Sequence, residues 1–270
     1  MAAVDYSVLD NPETSAHSFH PLRGWTETPP EAVDYGVTMH DGTTLSCRFF
    51  AVGRENPTVL FFYGGGENVA RYDEIAPHYN GIGANFFVAD YRGFGASSGS
   101  PSFNAILSDA HEVLDWLQET MQALRFTGPL YVMGRSMGRH SAGELAITAG
   151  DRINGVIIES GRPNLGRIAQ GLPPEVAQAL EDDYQAKFFS IDIPALVIHG
   201  QWDESAPLAD AVGMFNKLET ARKHLEIIPG AGHNDLMYVG SQQYFNAIKG
   251  FMARYARPST AIPPTSGTAG

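Results

Sequence analysis

The chain has 270 residues, of which 43% are hydrophobic and 18% are charged, a composition typical of a globular protein rather than a disordered or fibrous one. Its 30 acidic and 18 basic side chains give a formal net charge of -12, which argues against nucleic acid and against an anionic membrane surface as partners. No apolar run of about 18 residues occurs, and no basic region followed by an apolar stretch opens the chain, so we expect no membrane span and no export signal.

The first apolar runs of the chain predict an antiparallel hairpin. Residues 36–39 and 44–51 have the pattern of strands, and the Asp41-Gly42 pair between them is a strong turn signal. The only cysteine, Cys47, lies in the second strand, where we expect a buried and unreactive thiol. A single cysteine excludes an intramolecular disulfide and fits a cytoplasmic location.

The next segment alternates strands with helices. Residues 58–63 and 84–90 are apolar runs rich in β-branched and aromatic side chains, which favours strands, and a helix is expected between them near 70–79. The clearest helix is predicted at 102–124, because its apolar side chains recur along one stripe. Ser102 is the expected N-cap of that helix.

The middle of the chain continues this alternation and then departs from it. We predict a strand at 130–134, a helix at 137–149 and a strand at 155–160. The excursion that follows, about 161–194, is too long for an ordinary connection between neighbouring strands. It is therefore expected to be an inserted lid.

The last part of the chain returns to the alternating pattern. Strands are predicted at 195–200 and 224–229, with helices near 207–219 and 240–255. The tail at 258–270 is rich in Pro, Ser, Thr, Gly and Ala, which predicts disorder.

The order of these elements predicts the fold class. Apolar strands that alternate with amphipathic helices are typical of an α/β fold, here a mostly parallel eight-stranded sheet with helices on both faces and a short lid insertion. One core of this size does not require a second domain, so residues 1–257 are expected to form a single domain.

A serine nucleophile is indicated by the pattern G-x-S-x-G, which occurs twice, at 134–138 and at 95–99. The chemistry needs the serine on a sharp turn that leads directly from a strand into a helix, so that Oγ stands at the carboxyl edge of the sheet. Ser136 meets that requirement, because a predicted strand precedes it and a predicted helix follows. Ser97 lies well beyond the preceding strand in a Gly/Ser-rich loop and is expected to be structural.

A serine hydroxyl also needs a general base, and the base should follow it in the chain. The histidines after Ser136 are His140, His199, His224 and His233. The first shares a helix with the serine, while His199 and His224 lie in predicted strands. His233 lies in a loop after the last strand, from which an imidazole can reach the carboxyl edge of the sheet, and it is the predicted base.

The acid that orients the base has two candidates. Asp203 lies on a loop just after a late strand, which is where such a carboxylate is expected. Glu159 lies at the end of the preceding strand and is the alternative, unless it only orients a neighbouring loop. Asp203 is the predicted acid.

The oxyanion of an acyl-transfer intermediate needs preorganised backbone N–H donors. Met137, directly after the nucleophile, is expected to supply one donor and Gly65 the other, because the loop 63–66 lets the backbone approach a substrate. A phosphate cradle is the alternative for this glycine loop, but the Lys-Ser/Thr ending of a P-loop is missing.

These motifs together resemble those of the α/β-hydrolase superfamily, in particular its small-lid members described as esterases, lysophospholipases or serine-aminopeptidase-like hydrolases. The resemblance covers roughly 34–255, and its marks are FFYGGGEN, DYRGFGASSGSPS, MGRSMG, IHGQWDESAP and PGAGHNDL. Many relatives have His-Gly where this chain has Tyr63-Gly64. The support of the glycine loop is therefore expected to differ, with a phenol available to face the substrate.

The resemblance and the candidate residues imply a serine hydrolase that cleaves small acyl esters through an acyl-enzyme on Ser136, with no metal and no organic cofactor. The expected partner is a small-molecule ester. The alternatives are a lysophospholipase or thioesterase, a peptidase or amidase of the same fold, and a non-catalytic ligand-binding protein.

Overall fold

Eight short apolar segments form the strands of one sheet. A computed structural model describes residues 5–10 and 18–256 of the chain. The strands are β1 (Ala32–Thr38), β2 (Thr44–Phe50), β3 (Thr58–Phe62), β4 (Asn85–Ala89), β5 (Leu130–Arg135), β6 (Gly155–Glu159), β7 (Ala195–Gly200) and β8 (Lys223–Ile228). All eight predicted strands are confirmed. The largest difference is β1, which begins at Ala32 because its first residues pair with the end of β2 although their side chains are mostly half-exposed.

The sheet is mostly parallel, as the sequence predicts. Its strand order is β1-β2-β4-β3-β5-β6-β7-β8, and only β2 runs antiparallel to its neighbours β1 and β4. The chain leaves β3 toward β4 and then crosses back to β5 on the other side of β3. A crevice forms at such a switch point, outside the carboxyl ends of the strands, and ligands bind there in open α/β sheets.

Seven α-helices lie within the described residues, of which five connect consecutive strands and two follow β8. They are α1 (Ala76–Gly81), α2 (Phe103–Ala123), α3 (Arg139–Thr148), α4 (Pro174–Phe189), α5 (Leu208–Lys217), α6 (Leu236–Val239) and α7 (Ser241–Tyr255). Four follow the predicted ranges closely, while α1 is shorter than expected because a separate 3₁₀ turn, Val69–Tyr72, precedes it. The Ser102 side chain accepts the N–H of Ala105 at 3.2 Å, which confirms the predicted N-cap of α2.

The core lies between the sheet and these helices. The described parts of β3 to β7 are buried along their whole length, as expected for parallel strands covered on both faces. Cys47 is buried in β2, and burial raises the pKa of its thiol. None of the helices in the described ranges is long and apolar enough to cross a membrane.

The segment between β6 and β7 contains α4, a helix that the sequence analysis did not identify. Its buried side chains are Leu180, Tyr184 and Phe188, spaced four residues apart on one face. Phe188 packs so closely on α3 that a Cβ at Gly143 would lie 2.7 Å from its ring. The lid role of 161–194 and the domain range 1–257 stay predictions, and the tail at 258–270 lies outside the described residues.

Candidate active site

Ser136 stands at the turn that joins β5 to α3. The strand ends at Arg135, a 3₁₀ turn covers Ser136–Gly138, and α3 begins at Arg139. Ser136 has a φ of 50°, in the left-handed region that residues with a side chain rarely adopt. Such strain is found where the surrounding structure holds a functional side chain in a required place.

Two glycines make this turn sterically possible. A Cβ at Gly134 would lie 2.4 Å from the carbonyl oxygen of Gly138, and a Cβ at Gly138 would lie 2.0 Å from the carbonyl oxygen of Phe62. Both distances are far below van der Waals contact, so the backbone itself occupies the space of a side chain. The turn at Ser136 is thereby packed directly against the end of β3.

The second G-x-S-x-G match has a different structure. Ser97 is fully buried in the loop after β4, where its Oγ accepts the N–H of Ser46 at 2.8 Å. It tethers this loop to β2 and lies neither at a strand end nor at a helix start.

His233 lies between the two other predicted residues. Its Nε2 is 3.0 Å from Ser136 Oγ, and its Nδ1 is 2.8 Å from Asp203 Oδ2. With Nδ1 donating to the carboxylate, Nε2 is free to accept the serine hydroxyl proton. The structure therefore brings all three residues into one hydrogen-bonded line.

The loop that carries His233 spans 230–235 and is called the histidine loop below. It is held against β7, because a Cβ at Gly200 would lie 2.3 Å from the carbonyl oxygen of Gly232. The Gly232 N–H also donates to Asp235 Oδ1 at 2.7 Å. These contacts fix the loop next to the end of the strand from which Asp203 follows.

Asp203 is a buried carboxylate whose two oxygens have different partners. Oδ1 accepts the N–H groups of Ser205 and Ala206 at 2.9 and 2.7 Å, and Oδ2 contacts His233. Burial acts to raise the pKa of Asp203, but the hydrogen bonds from His233 and Ala206 outweigh it and hold the pKa below its usual value. The group is therefore ionised and able to stabilise a protonated imidazole.

Glu159, the alternative acid, has other partners. Its carboxylate accepts the Tyr244 hydroxyl at 2.7 Å and lies 3.3 Å from Arg135 Nε. Burial raises the pKa of Glu159, although the Arg135 guanidinium opposes that shift. In the structure Asp203 contacts His233, whereas Glu159 contacts Arg135.

The predicted oxyanion donors lie on adjacent segments. The loop after β3, residues 64–67, is called the oxyanion loop below. The N–H of Gly64 donates to Glu67 Oε2 at 2.9 Å, whereas the N–H of Gly65 has no acceptor within the part of the chain that the structure describes. A Cβ at Gly65 would lie 3.7 Å from Met137 Sδ, so the side chain of Met137 lies beside Gly65. Gly65 is exposed, which leaves its N–H open to a substrate.

Tyr63 does not face a substrate, contrary to the possibility raised by the sequence. Its ring is fully buried, and its hydroxyl donates to Asp90 Oδ1 at 2.7 Å. The Tyr91 hydroxyl donates to the carbonyl oxygen of Tyr63 at 2.8 Å. Burial raises the pKa of Asp90 to about 6, although the Tyr63 and Val69 hydrogen bonds oppose it. The buried Tyr63 side chain thus anchors the start of the oxyanion loop to Asp90.

The sequence analysis missed two residues that contact the site, Arg135 and Glu67. The sequence did offer two signals. Arg135 is a charged residue at a strand-to-helix turn, and Glu67 directly follows three glycines. Neither signal says which partner the charge will meet, because their contacts come from distant parts of the chain. No three His, Cys, Asp or Glu side chains of the described ranges converge in a way that could hold a metal ion.

Known proteins are similar to this chain in sequence and in fold. The family model described as serine aminopeptidase, S33, matches residues 53–180. The uncharacterized protein YfhR of Salmonella typhimurium is 29% identical over 248 residues, which cover 84% of this chain and 82% of YfhR. Protein bem46 of Schizosaccharomyces pombe is 27% identical over 209 residues, which cover 73% of this chain and 67% of bem46.

The same likeness extends to solved structures. The Pyrococcus furiosus esterase Pf2001 aligns with a TM-score of 0.70 at 20% sequence identity, covering 87% of this chain and 98% of the esterase. At this level of identity the comparison shows the fold, and it confirms the predicted mostly parallel sheet with flanking helices.

The buried pair of Tyr63 and Asp90 generates a testable prediction. Tyr63→Phe removes one donor from a buried carboxylate, which costs about 1–3 kcal/mol in the free energy of unfolding while that carboxylate is charged. Since the folded-state pKa of Asp90 is raised to about 6, the carboxyl is charged above this pH and neutral below it. The loss should therefore be larger at pH 8 than at pH 5, as measured by urea unfolding at both.

Tyr131→Phe is the matched control, because the Tyr131 hydroxyl donates at 2.7 Å to the neutral carbonyl of Met252. Its stability loss should be the same at both pH values. If the Tyr63 variant lost no stability but changed its substrate preference, the phenol would face the substrate after all.

Proposed function

We propose that this chain, which belongs to the α/β-hydrolase superfamily, is a serine hydrolase that cleaves small carboxylic esters through an acyl-enzyme on Ser136. The observation that carries the proposal is the line from Ser136 Oγ through His233 to Asp203, with distances of 3.0 and 2.8 Å. A serine that is strained, directly after the end of a central strand and paired with an oriented imidazole has the features of an activated nucleophile.

The first step forms the acyl-enzyme. Ser136 Oγ attacks the ester carbonyl carbon while His233 Nε2 takes the hydroxyl proton, and Asp203 stabilises the imidazolium that results. The negative charge that develops on the carbonyl oxygen is met by the N–H groups of Gly65 and Met137. Collapse of this intermediate breaks the bond to the alcohol oxygen, which leaves with the proton from His233.

The second step releases the acid. A water molecule gives a proton to His233 Nε2 and attacks the acyl carbon, and the same oxyanion donors stabilise the second intermediate. Its collapse returns the proton to Ser136 Oγ and frees the carboxylic acid. The sum is one ester and one water converted to one acid and one alcohol, with no group outside the protein required.

A second candidate is a lysophospholipase or thioesterase acting on longer acyl chains. The observation that favours it is the exposure of two large side chains, one on the loop of the proposed acid and one in α6, which follows the histidine loop. Trp202 is 66% exposed beside Asp203, and Tyr238 is 76% exposed shortly after His233. Exposed aromatic side chains near a site in the chain suit an apolar substrate group if they line its approach.

The remaining alternatives have less support. A peptidase or amidase would use the same line of residues but also needs a place for the leaving amine. A non-catalytic binding protein does not need Ser136 in a left-handed conformation next to an oriented imidazole.

Ser136→Ala should abolish ester hydrolysis, lowering kcat by more than about 10⁴-fold, because the attacking electron pair is lost. Covalent labelling by a fluorophosphonate should disappear as well, while circular dichroism shows an intact fold. Ser97→Ala is the matched control from the other G-x-S-x-G segment, and it should keep both activity and labelling. Full activity in the Ser136 variant would end the proposal.

Asp203→Asn should preserve the fold and lower kcat by up to about 10⁴-fold, because the amide no longer fixes the imidazole tautomer. Glu159→Gln should cost far less turnover per folded molecule, since its carboxylate contacts Arg135 and Tyr244 instead of His233. The comparison is made with p-nitrophenyl acetate. If Glu159→Gln lowered kcat strongly and Asp203→Asn lowered it only slightly, the assignment of the acid would be wrong.

The acyl preference should fall on short chains. Each further buried methylene contributes about 0.8 kcal/mol, roughly fourfold in kcat/KM, only while the pocket has room. The insertion has about 34 residues and commits one helix face to α3, so we expect it to enclose a modest pocket. A p-nitrophenyl ester series from acetate to dodecanoate measures this. A kcat/KM that still rises beyond about ten acyl carbons would favour the lysophospholipase candidate.

A further inference from the structure

We propose that Arg135 is a positioning residue that fixes the oxyanion loop and the histidine loop relative to Ser136. The inference rests on the proposed function, because it concerns how the same site is held in order. Arg135 directly precedes Ser136 at the end of β5, and its side chain is 6% exposed. It does not touch the reacting atoms and acts through the groups that do.

One guanidinium contacts three separate segments of the chain. Its Nη1 donates to Glu67 Oε1 at 2.5 Å on the oxyanion loop. Its Nη2 donates to Asn234 Oδ1 at 2.6 Å and to the carbonyl oxygen of His233 at 3.2 Å on the histidine loop. Its Nε lies 3.3 Å from Glu159 Oε1 at the end of β6. The two loops that flank Ser136 are thus joined through a single side chain.

On the oxyanion loop the effect passes through Glu67. The second oxygen of its carboxylate accepts the Gly64 N–H at 2.9 Å and the Tyr72 hydroxyl at 2.8 Å. A Cβ at Gly64 would lie 2.7 Å from Arg135 Nη1, so the loop backbone packs directly against the guanidinium. Glu67 therefore takes the Gly64 N–H, and the next N–H along, that of Gly65, is the one presented to an oxyanion.

On the histidine loop the effect is on the backbone of the proposed base itself. The His233 carbonyl accepts from Arg135 and also from Ser160 Oγ at 3.3 Å. Ser160 has a φ of 47°, a second strained residue at a strand end, and it contacts this same carbonyl. Holding the His233 backbone in place limits where its imidazole can lie between Ser136 and Asp203.

The charge of Arg135 is maintained although it is buried. Burial acts to lower its pKa, but the carboxylates of Glu159 and Glu67 outweigh that effect and raise the pKa above its ordinary value. Only arginine offers several N–H groups in one rigid plane, so it can reach three segments at once. Lysine would keep the charge but lose this geometry.

The experiment compares Arg135→Lys and Asn234→Ala with the unmodified protein, using p-nitrophenyl acetate turnover and the rate of fluorophosphonate labelling. We expect Arg135→Lys to lower kcat by about 10²-fold, since a misplacement of about 1 Å has an effect of this size. KM should change by less than about threefold, because substrate binding is not the function lost. The labelling rate should fall in parallel with kcat.

Asn234→Ala keeps the test valid if the arginine variant folds poorly. Asn234 is exposed, so its removal leaves the core intact while it deletes one Arg135 contact. We expect kcat to fall about fivefold with KM unchanged, the size of one lost hydrogen bond. Combining the two changes should cost less than the product of the single effects, because both act through one contact.

Arg152→Met is the matched control, an arginine whose ion pair with Asp115 is half-exposed and distant in the fold, and it should leave kcat unchanged. If Arg135→Lys kept kcat per folded molecule while only the stability fell, the residue would be structural and the inference overturned, with the proposed function intact. If the unmodified protein were neither labelled nor active, the proposed function would fail and this inference with it.

Discussion

The turn at Ser136 is pressed so closely against the end of β3 that the position of Gly138 has no room for a side chain. Its missing Cβ would lie 2.0 Å from the Phe62 carbonyl oxygen, a contact between two pieces of backbone. Because the oxyanion loop begins directly after β3, this contact also sets the distance between Ser136 and Gly65. The strained φ of Ser136 persists because the turn is held from both sides, by β3 and by the start of α3.

Three charged side chains lie near this contact, those of Arg135, Glu67 and Glu159, and burying any of them without a partner of opposite charge would be costly. Removing one partner of a buried ion pair leaves an uncompensated charge, which is strongly destabilising, so the members of such a cluster depend on one another. Arg135 ends β5, Glu67 lies in the loop after β3 and Glu159 ends β6, and the Arg135 guanidinium pairs with both glutamates. Parallel strands bring these ends to one edge, and the cluster sets their relative positions more finely than apolar packing would.

Features that depend on local pattern could be predicted from the sequence, and those that depend on distant contacts could not. The strands follow from continuous apolar runs, and the candidates Ser136, Asp203 and His233 follow from their places after predicted strands. The helix α4 was not predicted, because charged residues lie between its three buried apolar side chains. Those side chains, Leu180, Tyr184 and Phe188, do recur every four positions. The burial of Tyr63 could not be predicted, because its hydrogen-bond partner Asp90 is 27 residues away in the chain and only the fold brings the two together.

The choice between two carboxylates shows how the residue beside the nucleophile shapes the site. Glu159 ends β6 and Asp203 follows the adjacent strand β7, and both are buried at the same edge of the sheet. Sequence position leaves both open as the partner of His233. In the structure, Tyr244 and Arg135 occupy the carboxylate of Glu159, whereas Asp203 has one oxygen held by two backbone N–H groups and the other directed at the imidazole. Because Arg135 neutralises Glu159, the charge that faces His233 most directly is that of Asp203.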